Sequence, residues 1–412
     1  MLLIKGATIF EDNQELKRDL LIEEGKIVRI SKEIDYLHVK SIDANSLYLL
    51  PSIIDLNVRL KDDRFNLEHI QRLVNKAKRS GVSKIVLMPD FSPFIEDEVD
   101  VELLNSKLSE FDIDIILSIK STKQSDKKAL NDIAIMSSYG AKVIQENSSV
   151  DGNILRRVLQ YSLMKDMPFF CFCDNPILND NGVMHEGVVS SKLGLGGISK
   201  ISEISEVAKV AYMSEYYNSK TLFQSLTTAK SIEIVEHLKK SNQNLFCEVS
   251  ISHLILNDTK CDDFNTLAKL YPPLRDEMER LKLIEALKDD KIDTITSLHS
   301  SKSFNSKDVA FNDASYGVDL LEILLSLSYT HLVKSGIIDI FKLIKLLSKN
   351  PARILGFDDV SIKEGNRADF ILFDPNKRFK VMDQNSLYFG EELYGEVVAN
   401  IIGGDIVNWY YL

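Results

Sequence analysis

The chain has 412 residues, a net charge of −11 and 44% hydrophobic content, so it exceeds one small core and calls for a large domain with a smaller one. The acidic balance argues against a nucleic-acid or anionic-membrane surface, and no run nears the roughly 18 apolar residues of a membrane span. Four cysteines form no disulfide framework and the start lacks a signal-peptide layout, so the chain reads as cytoplasmic.

Residues 1–48 read as short strands. Leu2-Leu3-Ile4 leads into residues 7–10, and residues 19–22 and 26–30 flank Glu23-Glu24-Gly25, a hairpin signal with glycine at the turn. From about 50 to 345, short apolar runs alternate with amphipathic stretches. Residues 83–88, 113–117, 141–144, 168–172 and 292–295 are the clearest strands, while 66–79 and 207–217 carry apolar residues at helical spacing. Such alternation implies βα units around a parallel sheet, and at this length a (β/α)8 barrel is the first choice. Cys171 and Cys173 share one face of a strand and, without two further ligands at recognisable spacing, read as buried thiols. After Asn350-Pro351 strands return at 368–373, 396–402 and 405–409, with Gly403-Gly404 suiting a tight turn. The expected organisation is a barrel over 50–357 and a small composite β unit built from residues 1–49 and 358–412.

Several motifs occur in order along this frame. Leu50 to Leu60 opens the barrel region, and Gly187 follows His185-Glu186. Leu193-Gly194-Leu195-Gly196-Gly197, Pro272-Pro273-Leu274-Arg275, Asn350-Pro351-Ala352 with Gly356, and Gly365 with Ala368-Asp369 come after. Together they make the chain resemble the dihydroorotase branch of the amidohydrolases over nearly its whole length. The resemblance implies a (β/α)8 TIM barrel with a composite β-sandwich from both termini. It also implies a site in which imidazoles and a carboxylate hold one or two metals, the metal activates water, and an aspartate shuttles the proton.

The residues at those slots depart from the family pattern. Asn57 and Arg59 stand where a His-x-His pair holds metal; a guanidinium stays protonated and offers no lone pair. Lys61 replaces an arginine for the substrate carboxylate, keeping the charge and losing the bidentate fork. Asp90 replaces a substrate-binding asparagine, and Tyr271 replaces the asparagine before Pro-Pro-Leu-Arg. Cys171 and Ser225 occupy two further histidine slots. Leu298 takes the place of the catalytic aspartate and Lys302 that of a substrate-contacting histidine. Glu146 is the candidate bridging carboxylate, with Lys142 nearby. Of the seven histidines, His253 and His299 match motif positions and are candidates for the mouth, and His185 is a candidate to reach it from a loop. His38, His69, His237 and His331 read as solvated.

These substitutions lead to an expectation of no catalytic residues and no cofactor. Arg59 is expected to fill the metal's space and to pair with Glu146, because a buried guanidinium needs a partner. Inactive members of the resembled family serve as structural partners of aspartate carbamoyltransferase, so that role and an oligomeric state are expected. Two alternatives stay open. One is an active cyclic amidohydrolase with an atypical zinc site from Cys171, Glu146, His253 and His299. The other is a module binding an anionic metabolite through Arg59, Lys61 and Lys302, unless these cations are taken by Asp62, Asp63 and Asp90.

Overall fold

A computed structural model describes every residue except 12, 37, 38, 125, 127 and 410–412. Five strands come first: β1 (Leu2–Glu11), β2 (Gln14–Glu23), β3 (Lys26–Ser31), β4 (Lys40–Asp43) and β5 (Tyr48–Pro51). β2 and β3 form the expected hairpin, and Glu24 and Gly25 take the positive φ that its turn requires. The barrel strands are β6 (Ile53–Arg59), β7 (Val82–Leu87), β8 (Asp114–Lys120), β9 (Val143–Asn147) and β10 (Phe169–Phe172). A short pair, β11 (Met184–His185) and β12 (Gly197–Ile198), precedes β13 (Thr221–Gln224) and β14 (Leu245–Ser250). β15 (Thr294–Thr296) and β16 (His299–Ser300) follow. β17 (Phe370–Lys380), β18 (Glu392–Ile402) and β19 (Asp405–Trp409) complete the chain.

The parallel sheet runs β15-β14-β13-β10-β9-β8-β7-β6-β16. β15 and β16 are two pieces of one eighth strand, so pairing β15 to β14 and β16 to β6 closes the barrel. Between the pieces Leu298 turns the chain with φ +53°. The second sheet runs β19-β18-β17-β5-β1-β2-β3, with β4 parallel to β1. β17 lies antiparallel to β5, which joins the two ends of the chain as the composition of the termini implied. Its core packs Ile4, Leu20, Ile22, Phe370, Leu372 and Ile401.

The helices mostly follow from pattern. Helix α1 (Leu67–Ser80) is capped by Asn66, whose side chain accepts from the His69 amide, and buries Ile70, Leu73, Val74 and Ala77. Gly81 ends it at φ +78°, where a side chain would strain the backbone. The second expected helix begins earlier than its apolar spacing, spanning Lys200–Tyr217. Its first turns bury Ser202, Glu203 and Glu206, and these polar inward positions hid the period. Barrel strands β13 and β14 were likewise not among the clearest strands, because Gln224 and Glu248 face the lumen and interrupt the apolar runs.

Two family-like motifs prove architectural. The Asn-Pro-Ala helix (Asn350–Leu355) closes the lower end of the barrel, where Ala352 and Ile354 join the lumen cluster of Ile54, Val86, Phe170 and Phe246. Arg275 of Pro-Pro-Leu-Arg is buried in a knot: Nε donates to Thr227 Oγ1 (2.9 Å) and Nη1 to the Ile198 carbonyl (2.8 Å). Glu203 stands 3.9 Å from Arg275 and accepts from the Thr228 amide (3.0 Å) and both threonine hydroxyls. Gly197 beside it has no room for a Cβ, which would fall 2.6 Å from the Glu186 backbone.

Candidate functional site

The upper end of the barrel is polar because of a phase change in β6. Ile54 and Leu56 point into the lumen, and the register then slips between Asp55 and Val58. After that bulge Asn57 and Arg59 face inward instead. The Asn57 amide crosses the barrel, with Nδ2 donating to Glu248 Oε1 (2.8 Å) and Ser225 Oγ (3.0 Å). Its Oδ1 accepts from Arg59 Nη1 (2.7 Å). Thr296 Oγ1 (2.7 Å) and Ser225 Oγ (3.4 Å) also donate to Glu248 Oε1.

Arg59 reaches Asp90, not the expected Glu146. Its Nη2 and Nε each lie 3.3 Å from Asp90 Oδ2, while Lys120 Nζ stands 2.9 Å from Oδ1. Burial alone would raise the Asp90 pKa, but Lys120 and Arg59 together hold it down at about 2. Glu146 is buried and satisfied elsewhere, accepting from Ser121 Oγ (2.7 Å), Thr122 Oγ1 (2.9 Å) and the Asn147 amide (3.0 Å). Lys120 approaches it only to 3.9 Å. The expected Arg59–Glu146 pair is therefore replaced by a two-cation bridge through Asp90.

Below the bridge lie two buried acids. Glu248 Oε2 receives no hydrogen bond among the described residues, and burial raises the Glu248 pKa. Asp55 accepts from the amides of Asn57 (3.2 Å) and Ser297 (3.3 Å), yet burial pushes its pKa up to about 7. An orphaned carboxylate oxygen would suit a cation. The neighbouring groups do not suit a divalent ion: the Asn57 nitrogen donates to the other oxygen of Glu248, Oε1, and the Asn57 oxygen is already occupied by a guanidinium.

Above the bridge a cavity of about 340 Å³ opens, lined by Arg59, Asp90, Phe172, Tyr271, Leu298 and Lys302, among others. Tyr271 packs between Phe172 and Tyr316, at ring-centroid distances of 5.5 and 5.1 Å. Its hydroxyl donates to Asp174 Oδ2 (2.5 Å), and burial together with that bond pushes its pKa up. Lys302 is held by Asp63 at 2.5 Å. Both cavity cations thus already have carboxylate partners.

The structure gathers Asn57, Arg59, Asp90, Ser225, Tyr271, Leu298 and Lys302 at the mouth and excludes the rest. Phe170 points into the lumen and Phe172 lines the cavity, so Cys171 between them faces away. Its Sγ lies 3.8 Å from Cys173, a thiol that feels Glu203 and Glu206 of the outer helix. All four cysteines are free and buried. His253 is buried against Ser250 Oγ (2.8 Å) and the Pro272 carbonyl (3.1 Å), and burial pushes its pKa down to about 4. His299 Nδ1 accepts from the Leu320 and Leu321 amides (3.2 Å each), and burial likewise lowers it to about 4. His185 belongs to the Arg275 knot, with Nε2 3.2 Å from Asp276. Lys142 is exposed before β9, and Lys61 lines a neighbouring groove instead of the cavity. Among the surface histidines, His237 is exposed, His69 half-buried, His331 paired with Glu391 at 2.6 Å, and His38 outside the described residues.

The ligand set of Cys171, Glu146, His253 and His299 is therefore not brought together. Among the described residues the one group of three acid, thiol or imidazole side chains close enough to share an ion is Glu236, Cys247 and Asp293. There Lys239 already bonds Asp293 (2.7 Å) and Glu236 (2.8 Å).

Glu248, Lys120, Gln145 and Gln224 complete the mouth without having been singled out in the sequence. Gln145 accepts from Lys120 (2.6 Å), and its Nε2 donates to Gln224 (3.3 Å). A signal did exist for Glu248, the lone carboxylate within the apolar run Leu245-Phe246-Cys247-Glu248-Val249.

Comparison with known proteins agrees with this architecture. The amidohydrolase family model matches residues 200–407. The dihydroorotase of Acetivibrio thermocellus is 30% identical, covering 98% of each chain, and that of Clostridioides difficile is 29% identical, covering 99% of each. Among solved structures, L-hydantoinase (dihydropyrimidinase) from Arthrobacter aurescens superposes with a TM-score of 0.87 at 17% identity, over 99% of this chain and 96% of that one. The D-hydantoinase (dihydropyrimidinase) of a Thermus species gives 0.84 at 20% identity, over 99% and 95%. The chain belongs to the amidohydrolase family.

Proposed function

We propose that this protein is a non-catalytic, dihydroorotase-like member of the family, acting as a structural or regulatory partner of aspartate carbamoyltransferase. One observation carries the reading: a guanidinium and an amide N–H, both donors, converge where metal ligands would need lone pairs. Arg59 and Lys120 supply positive charge at the mouth, and Asp90 binds them together. No group at the Leu298 position can carry a proton. The barrel and the composite sheet remain intact, as a scaffold requires. The partner rests on the resemblance of the chain to inactive members of the family.

The test is co-expression with the aspartate carbamoyltransferase of the same organism, followed by affinity capture and size-exclusion chromatography. A stable stoichiometric complex is expected. Separate elution of the two proteins at micromolar concentration would overturn the partner assignment.

A second reading, an active cyclic amidohydrolase with an unusual metal site, is favoured by the names of the relatives, which are dihydroorotases. The dispersal of Cys171, Glu146, His253 and His299 speaks against it. Binding of an anionic metabolite at the mouth would have to displace Asp90 from Arg59 or Asp63 from Lys302.

A further inference from the structure

Beside the mouth, on the outer side of β16, lies a separate groove of about 440 Å³. One wall is the face of α1 that carries Arg72, Lys76 and Arg79 at i, i+4 and i+7, a basic stripe about 10 Å long. Lys61 and Lys302 stand on the opposite wall. Against these five cations the lining offers the carboxylates of Asp319 and Asp383. In a chain of net charge −11 this is a local reversal of sign.

The existing ion pairs leave part of that charge exchangeable. Arg72 pairs with Glu68 at 2.5 Å, but the two side chains are 59% and 70% exposed. So exposed a pair contributes little, and a polyanion can take over Arg72 at small cost. Arg79 pairs with Glu322 at 3.0 Å and has a further partner besides. Lys76 is committed to Asp319, and Lys302 to Asp63. Lys61 acts through its field: burial alone would raise the Asp319 carboxyl, and His299, Lys76 and then Lys61 bring it below its ordinary value. At the lip of the groove Phe304 leaves its ring 60% exposed. An exposed aromatic face next to a row of cations is the pairing that stacks a base and grips its phosphates.

We propose that this groove binds a nucleoside di- or triphosphate, with the phosphates on Arg72 and Lys61 and the base on Phe304. This assignment is independent of whether the mouth is catalytic, since its cations and aromatic ring lie outside the Arg59–Asp90–Lys120 bridge.

The experiment is calorimetric titration of the full chain with ATP, ADP and inorganic tripolyphosphate, with a poly-glutamate peptide as the alternative polyanion. Saturable ATP binding that weakens with salt is expected. Combining Arg72→Ala with Lys61→Ala should weaken it roughly tenfold or more at unchanged melting temperature, because Arg72 is exposed and Lys61 only half-buried. Phe304→Ala should weaken ATP and leave tripolyphosphate unchanged. Absence of saturable binding by any phosphate, or affinity indifferent to the paired alanines, would overturn the site. An equal response of ATP and tripolyphosphate to Phe304→Ala, whether both weaken or neither does, would overturn the nucleotide assignment. Binding of poly-glutamate without ATP would overturn it in favour of an acidic protein segment.

Discussion

The Arg275 knot and the barrel mouth are both buried charged networks, and they differ in kind. The Arg275 knot is closed: Arg275 and Glu203 are each at most 5% exposed, and hydroxyls, amides and a carbonyl satisfy them from several directions. The mouth is open: the Arg59 and Asp90 side chains are 19% and 34% exposed, and one oxygen of Glu248 is left without a donor. The knot takes Arg275 and His185 from motifs that carry the family resemblance and surrounds them with Glu203, Thr227 and Thr228. The mouth includes Asn57, Arg59 and Asp90, which depart from the family pattern. The two networks thus depend on different side chains, so one can change while the other persists.

The contrast predicts a ranking of effects. Glu203→Ala should be the most severe, because it strands a buried guanidinium. About 3–5 kcal/mol is expected, read as a fall in melting temperature or loss of soluble protein. Arg59→Ala should cost less, about 1.5–3 kcal/mol, since Lys120 still neutralises Asp90 and water reaches the site. Equal losses in the two variants would erase the distinction between closed and open networks.

The acids under the bridge sharpen it further through pH. The folded-state pKa of Asp55 is raised from near 3.8 to about 7 by burial. A raised carboxyl means that the folded state holds the proton more tightly. Its stabilising contribution is full below about pH 4 and is lost as pH rises to about 7. Denaturant midpoints should therefore fall across that window, and Asp55→Asn should flatten the slope. A slope unchanged in the variant would place the titrating group elsewhere. The smallest effect is expected outside both networks: Arg72→Ala should shift stability by no more than about 0.5 kcal/mol, measured by the same denaturation.

Much of the fold was legible because it rests on repetition. Alternating apolar runs and helical spacing pointed to the barrel, and the β-rich ends pointed to a shared sheet, which the β5–β17 pairing provides. Legibility failed where polar residues face inward. Glu203 and Glu206 masked the start of their helix, and Gln224 and Glu248 obscured two barrel strands. At the site, the substituted slots on β6 and after β15 were readable by position, and Asn57, Arg59 and Leu298 all reach the mouth. Their partners were not readable. Whether Arg59 meets Glu146 or Asp90 depends on the β6 bulge. The facing of Cys171 depends on strand phase, and one residue of phase separates a mouth ligand from a packed thiol. Leu298 illustrates a related point: its φ of +53° is costly for a branched apolar residue, and nothing in its side chain explains why the turn is kept.

We propose that cations of the protein stand in for metal at the mouth. Elemental analysis of protein grown with added zinc, paired with an assay for dihydroorotate hydrolysis, tests it most directly. The account predicts zinc well below one ion per chain and no turnover above that of a blank. A stoichiometric ion with measurable hydrolysis, both lost in Asn57→Ala, would contradict it.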